Sequence, residues 1–144
     1  MTTPLLDFRV KRFIADHRVA RLATADAQGR PHVIPICYVF DGQSIYSALD
    51  LKPKRVTAQQ LKRVRNIVAN PHVSLVIDDY SEAWDTLAYV LVQAKAKILE
   101  NVEDQQRAES MLCKKYHQYT ELLEKGCTII KITPERVTSW GHLK

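Results

Sequence analysis

The sequence predicts an α+β protein that is mainly antiparallel β-sheet, with its strands closed into a small barrel. About seven segments distribute apolar residues as strands do, whereas only three segments show helical spacing. Most links between the strands are too short for the crossovers that parallel strands need. The 144 residues suit a single domain, which we expect to span residues 1–144. A barrel removes the free edges that a small open sheet would expose.

The first helix and the first three strands follow from spacing and from turn residues. Apolar residues between positions 5 and 14 recur at helical spacing, so a short amphipathic helix ends near position 17. Three strands follow, over residues 19–25, 32–40 and 44–49. Gly29 suits the first turn because glycine accepts positive φ. Pro35 cannot donate a ladder hydrogen bond, so it places the second strand at an edge or a bulge. We expect these strands to form a meander.

The second half of the chain alternates helices and strands. Pro53 suits the first turn of a helix, and Asn70 with Pro71 ends that helix. We expect strands over residues 73–79 and 87–99, a helix over 103–124, and two last strands over 128–133 and 136–140. Pro134 lies between these last two strands.

Composition excludes several classes of protein. No apolar run is long enough to cross a bilayer, and the charged N-terminus does not resemble a signal peptide. The three cysteines are odd in number and widely spaced, which favours reduced thiols and a cytoplasmic location. The five histidines have no metal-ligand spacing, so we expect no metal site.

The net charge of +5 comes from one window of the chain. Residues 52–65 contain six of the 21 basic residues and no acidic one, which leaves 15 basic against 16 acidic residues elsewhere. A helix N-terminus presents free N–H groups, so Lys52 and Lys54 at such a terminus favour a phosphate. Lys62 and Arg65 lie three residues apart on one helix face. A solvated basic face is an equally good interpretation of the spacing alone.

Other candidate residues lie at strand ends. Ser47 and Tyr46 end the third strand just before the basic helix. Residues 35–38 lie on a strand interrupted by proline, where unpaired backbone donors would hold a planar ring or simply form an edge. Trp84 and Trp140 would cover a ring or pack in a dimer interface.

The order of several short motifs resembles the pyridoxamine 5′-phosphate oxidase-like, FMN-binding split-barrel family. Within that family, it is similar to the subgroup of probable deazaflavin-dependent oxidoreductases. The resemblance covers residues 19–99 and is carried by ARLAT at 20–24, GRPHV at 29–33, Pro35, Asp41-Gly42, DLKPK at 50–54, LKRVRNI at 61–67, Asn70-Pro71, VSLVIDDY at 73–80 and Trp84, with Trp140 as a further match.

This resemblance implies a six-stranded antiparallel split β-barrel with flanking helices, a homodimer, and FMN or the deazaflavin coenzyme at the dimer interface. It implies that Lys52, Lys54 and Arg65, assisted by Arg21, meet the phosphate-bearing part of the cofactor. It places Pro35, Ile36, Cys37 and Tyr38 beside the ring, Ser47 near the ribityl chain, and Trp84 or Trp140 over the pocket. In such proteins the cofactor carries the hydride chemistry, which is consistent with the lack of a catalytic dyad in the sequence.

The resemblance has two departures. The true pyridoxamine 5′-phosphate oxidases are longer and carry a substrate-phosphate site toward the C-terminus that has no clear counterpart here, so we do not expect that activity. The subgroup commonly carries an aromatic-aromatic-Val-Arg pattern followed by Gly on the strand around Leu91, where this chain has AYVLVQA at 88–94. Our first hypothesis, which rests on the local basic cluster and the order of the motifs, is a flavin- or deazaflavin-dependent oxidoreductase acting on a small molecule. The alternatives are a non-catalytic split-barrel module that binds a flavin or haem, and a barrel that binds nucleic acid. The last is disfavoured because no aromatic residues alternate with the basic ones.

Overall fold

The computed structural model describes residues 7–49 and 61–143. The helices are α1 (Phe8–Asp16), α2 (Lys62–Ala69), α3 (Val102–Lys115) and α4 (Tyr119–Leu122), with a 3-10 helix at Trp84–Thr86. The strands are β1 (Ala20–Ala25), β2 (Pro31–Ile36), β3 (Val39–Phe40), β4 (Ile45–Ala48), β5 (His72–Asp79), β6 (Ala88–Ile98) and β7 (Ile129–Gly141). Among the described helices, none is long and apolar enough to cross a membrane.

The seven strands of the described residues belong to one antiparallel sheet with the order β2-β1-β5-β6-β7-β4-β3. Its two edge strands, β2 and β3, are separated in the chain by only Cys37 and Tyr38. Because two residues cannot span a flat sheet, the sheet must curl until its edges meet. The predicted antiparallel barrel with flanking helices is therefore confirmed, with seven strands rather than six.

Two strand predictions were wrong in detail. The strand predicted over residues 32–40 is two strands, and its halves pair with β1 and β4 at opposite edges of the sheet. The predicted meander is therefore divided at Cys37 and Tyr38. The two strands predicted around Pro134 are one strand, β7. A register shift opposite Gln93 and Ala94 leaves Glu135 unpaired, and this bulge accommodates the proline.

The helical predictions also needed adjustment. The helix predicted over residues 103–124 is two helices, because the chain turns at residues 116–118. Helix α2 begins at Lys62, with the extended Leu61 as its N-cap, and ends at the predicted Asn70. The prediction of one helix from Pro53 to Asn70 is therefore wrong in its start, so Lys52 and Lys54 do not lie at the N-terminus of α2. The residues around Pro53 lie outside the described residues.

The buried apolar side chains of the described residues form two clusters. The larger cluster fills the barrel with inward side chains of β1, β5, β6 and β7 and includes the buried face of α1. The smaller cluster lies between α3 and the outer surface of β3 and β4. Helix α3 therefore covers one half of the barrel wall, and the outer surface of β2, β1, β5, β6 and β7 lies uncovered within the described chain.

Candidate functional site

This uncovered surface, here called the open face, presents three rows of outward side chains in hydrogen-bond register. The first row is Val33, Ala23, Ser74, Gln93 and Arg136; the second is Pro35, Arg21, Val76, Leu91 and Thr138; the third is Asp78, Tyr89 and Trp140. Alternation places their neighbours in the core, since Val90 and Val92 are fully buried. Trp140 is 53% exposed and Val33 is 63% exposed, so apolar surface accumulates here that residues 7–49 and 61–143 do not cover.

A shallow depression of about 590 Å³ lies on the second and third rows, lined by Arg21, Val76, Asp78, Tyr89 and Leu91. The rings of Tyr89 and Trp140 stack beside it, with centroids 5.7 Å apart. The depression therefore has an aliphatic floor, an aromatic wall and one ion pair. Planar organic rings bind in surroundings of this kind.

The ion pair joins Arg21 to Asp78 across β1 and β5, with Nη1 2.8 Å from Oδ1. Both side chains are about half exposed, so the pair itself contributes little to stability. The next residue, Asp79, points to the other side of β5, where its Oδ1 lies 2.6 Å from Nε2 of His17. The two adjacent carboxylates therefore do not form a catalytic pair, as strand alternation predicts.

The strand break at Cys37 and Tyr38 satisfies its own backbone groups. The hydroxyl of Ser47 donates to the carbonyl of Cys37 at 2.9 Å, and the Tyr38 N–H donates to the hydroxyl of Tyr116 at 3.1 Å. The Tyr38 side chain is fully buried, with its hydroxyl on the carbonyl of Ile14. The N–H of Tyr38 is therefore not an open donor for a ring.

The predicted ring contacts consequently divide into two groups. Ile36, Tyr38 and Ser47 have buried side chains, whereas Cys37 is half-buried and Pro35 is exposed on the open face. A cofactor on the open face would meet Pro35 and the neighbouring Arg21 directly.

The basic helix lies at the end of the barrel, away from the second and third rows. Its buried Asn66 donates to the hydroxyl of Thr24 at 2.9 Å, which fixes α2 against β1. Lys62 and Arg65 are exposed, and no described carboxylate forms an ion pair with either. Lys52 and Lys54 lie outside the described residues.

The two predicted tryptophans occupy different places. Trp140 lies on the open face, whereas Trp84 belongs to the 3-10 helix, where its indole N–H donates to the Tyr80 hydroxyl at 3.4 Å. Trp84 is 69% exposed. Of the described predicted residues, the fold therefore brings Arg21, Pro35 and Trp140 onto one surface.

Several residues of the open face were not predicted from the sequence. Tyr89, Leu91, Gln93 and Arg136 all point outward beside the predicted ones. The period of two along β6 was visible in the sequence, and it identifies Tyr89, Leu91 and Gln93 as one face. Nothing in the sequence indicates that Arg136 lies next to Gln93. Within the described ranges, no cluster of three or more histidine, cysteine, aspartate or glutamate side chains could hold a metal ion.

Solved structures with the same fold come from several bacteria. A conserved hypothetical protein of Mycobacterium tuberculosis is 23% identical with a TM-score of 0.78, over 97% of this chain and 87% of its own. The haem storage protein HutZ of Vibrio cholerae is 18% identical with a TM-score of 0.72, over 96% and 95%. An FAD-binding protein of Mesorhizobium loti is 21% identical with a TM-score of 0.71, over 96% and 97%.

These identities establish the shared fold alone. No curated protein matches the chain. The family model for pyridoxamine 5′-phosphate oxidase matches residues 6–141, which is nearly the whole chain. The chain therefore belongs to the pyridoxamine 5′-phosphate oxidase family.

Proposed function

We propose that this protein is an oxidoreductase that binds FMN, or the deazaflavin coenzyme, on the open face and transfers hydride to or from a small molecule. The observation that carries the proposal is the depression formed by the Arg21–Asp78 pair, Val76, Leu91 and Tyr89. Family membership and a similar fold in an FAD-binding protein add support. The three free thiols are consistent with a cytoplasmic location.

The open face fits the ring of such a cofactor. A tricyclic ring needs a flat, largely apolar surface with a few polar groups at its rim. Val76 and Leu91 supply the apolar floor, and the stacked Tyr89 and Trp140 supply an aromatic wall. Arg21 gives one N–H group to Asp78, and the described chain shows no other hydrogen bond from its side chain. Its remaining guanidinium donors can therefore meet a ring oxygen or a phosphate.

The phosphate-bearing part of the cofactor is assigned to the basic window. Arg65 is exposed and carries a charge that no described carboxylate neutralises. Lys52 and Lys54 remain part of this proposal, because they belong to the same window of six basic residues.

A second copy of the chain is the proposed cover for the open face. Exposed aromatic and aliphatic residues surrounded by polar side chains are typical of protein interfaces. Two copies joined here would enclose the depression, exclude water and bring Trp140 of each copy to the boundary. As the family resemblance implies, Cys37 would lie beside the cofactor ring and Trp84 would lie over the pocket.

The bound cofactor would supply the hydride chemistry, and the protein would supply position and electrostatics. Arg21 would stabilise negative charge on the cofactor, and Asp78 would hold the Arg21 guanidinium in place. The aromatic wall would orient the ring and keep water from the reacting atoms. This division of work requires no general acid or base from the chain.

Fluorescence titration with FMN, FAD and the deazaflavin coenzyme tests the proposal directly. We expect saturable binding of one cofactor per subunit, and sedimentation should show a dimer. Arg21→Gln and Arg65→Ala should each weaken affinity by roughly tenfold, because each removes a charged hydrogen-bond donor. Arg107→Gln on α3 is the matched control, because it removes the same charge far from the open face. If no cofactor binds at high concentration, the proposal fails.

A non-catalytic binding module is the second candidate. It is favoured by strand β6, where AYVLVQA at 88–94 stands in place of the aromatic-aromatic-Val-Arg pattern followed by Gly that the oxidoreductases of the resembling subgroup commonly carry. A similar fold in a haem storage protein is consistent with it. Binding of a flavin or haem without oxidation of any added reductant would favour this candidate over the oxidoreductase.

A further inference from the structure

A second cavity, of about 430 Å³, occupies the first row of the open face. Ser74, Gln93 and Arg136 line it as direct cross-strand neighbours on β5, β6 and β7. Such neighbours have Cβ atoms about 5 Å apart on one face of a sheet, so their polar ends reach the same space. Ala23 is the next residue of the row, and its small side chain leaves space above the sheet.

The bulge in β7 determines which charge enters this row. Gln93 pairs with Arg136 and Ala94 pairs with Pro134, so Glu135 is the extra residue. Its carboxylate lies 3.9 Å from the ammonium of Lys95. A bulge redirects the side chains on either side of it and is frequent next to functional sites. Here it places Arg136 beside Gln93, and Glu135, which also lines the cavity, is paired with Lys95 rather than with Arg136.

The side chains of this row therefore offer hydrogen-bond donors that no described protein group accepts. Within the described residues, the side chains of Ser74, Gln93 and Arg136 form no hydrogen bond or ion pair with protein groups. A guanidinium presents two parallel N–H groups that match the oxygens of a carboxylate or phosphate. An amide N–H₂ and a hydroxyl beside it add neutral donors to the same oxygens.

We propose that Ser74, Gln93 and Arg136 form a binding site for the oxyanion of a small molecule, a carboxylate or a phosphate monoester. The cavity volume lies in the range of small-molecule sites, which is about 300–1,000 Å³. The row directly adjoins the row of Arg21, Val76 and Leu91, so a molecule held here by its anionic end places its other end over the depression. That this molecule is the substrate rests on the proposed function, whereas oxyanion binding by the row does not.

Titration of the isotope-labelled protein with inorganic phosphate, followed by amide NMR at constant ionic strength, tests the site without any flavin. We expect saturable shifts centred on Ser74, Gln93 and Arg136. Arg136→Gln should weaken phosphate binding by roughly tenfold or more, and Arg136→Lys should fall between, because lysine keeps the charge and loses the paired donors. Arg107→Gln removes the same charge from α3 and should leave the affinity unchanged.

Three results would overturn this inference: no saturable shifts at the row, shifts confined to α2, or equal affinity in Arg136→Gln and Arg107→Gln. Thermal unfolding of each variant distinguishes a lost site from a lost fold, and Arg136 is exposed, so we expect unchanged stability. Acetate in place of phosphate separates carboxylate from phosphate preference. If the protein binds phosphate at this row but binds no flavin, the proposed cofactor is wrong and the anion site is retained.

Discussion

The hydroxyl oxygen of Tyr116 accepts the backbone N–H of Tyr38 at 3.1 Å. This bond lies between the end of β2 and the start of β3, where the chain passes from one edge of the sheet to the other. The same hydroxyl lies 2.9 Å from the carbonyl of Tyr38 and 2.8 Å from that of Arg18, and its proton can reach either. One side chain at the C-cap of α3 therefore satisfies backbone groups that have no partner strand at the opening of the barrel.

Tyr116→Phe should destabilise the protein by about 1–3 kcal/mol, because it leaves buried backbone groups without a partner. The free energy of unfolding from a urea titration measures this effect. Tyr80→Phe is the matched control, since it removes an exposed hydroxyl bonded to Glu82. We expect the control to change stability by less than about 0.5 kcal/mol. Equal effects of the two variants would show that the Tyr116 hydroxyl does not support the strand break.

Gly141→Ala should destabilise the protein more strongly than Gly42→Ala, because only the first places a Cβ against the backbone. Both glycines have positive φ, 88° and 97°. A Cβ on Gly141 would lie 2.1 Å from the carbonyl oxygen of Leu87, whereas a Cβ on Gly42 would meet nothing within 4 Å. Each variant carries the conformational cost of about 1–2 kcal/mol, and Gly141→Ala adds a backbone clash of about 1–3 kcal/mol. Matching losses of thermal stability in both variants would contradict this.

The carboxylate of Asp26 should make the free energy of unfolding depend on pH in the acid range. Its carboxylate accepts the backbone N–H groups of Arg30 and Gln28, both at 2.9 Å, and the Nε of Arg30 at 2.7 Å. These bonds lower the pKa of Asp26 from 3.8 to about 2, the Arg30 backbone bond most of all. Because the folded pKa is the lower one, this stabilisation is complete above pH 3.8 and is lost as pH falls toward 2.

Asp26→Asn should therefore be less stable than the wild type at neutral pH. The difference in unfolding free energy between them should shrink as pH falls from 4 to 2. Urea titrations at several pH values measure this difference. Asp85→Asn, on the exposed 3-10 helix, controls for the loss of one carboxylate. A difference that stays constant over this pH range would refute the assignment.

Cys127 should be unreactive in the folded protein. Burial, followed by the neighbouring Glu109 carboxylate, raises the pKa of its thiol to about 12. A variant that keeps only this thiol, Cys37→Ser with Cys113→Ser, should react with a thiol reagent at pH 8 only after unfolding, because the thiolate is the reactive species. A variant that keeps only the half-buried Cys113 should react in the folded state. Similar rates for the two folded variants would contradict the prediction.

The linkage of the Cys127 thiol to stability has a definite sign. The unfolded thiol ionises near its ordinary pKa of 9.0, whereas the folded thiol keeps its proton until about pH 12. Unfolding therefore releases a proton between these values, and stability falls as pH rises through that range. The variant that keeps only Cys127 should therefore lose more stability between pH 9 and pH 12 than a variant in which all three cysteines are serine.

Local features of the fold were predictable from the sequence, and the position of the barrel break was not. Gly29 has the positive φ that the first turn requires, at 81°. Helix α2 ends where Asn70 and Pro71 predicted. Pro35 indicated an interruption of this strand, but its division at Cys37 and Tyr38 was not predictable, because the N–H of Tyr38 finds its partner in a hydroxyl 78 residues away. Pro134 suggested a strand boundary, but the pairing of β7 along β6 absorbs it in a bulge.

For the candidate site, the sequence was sufficient to show which residue types are available and how charge is distributed. It located the basic window and, through the family resemblance, identified Arg21, Pro35 and Trp140 as candidates. Which outward side chains meet depends on the tertiary structure. The order of strands in the sheet sets Arg21 beside Asp78, 57 residues later, and Gln93 beside Arg136 across the bulge. Alternation along one strand specifies a face, whereas neighbours across strands depend on register, which long-range packing fixes.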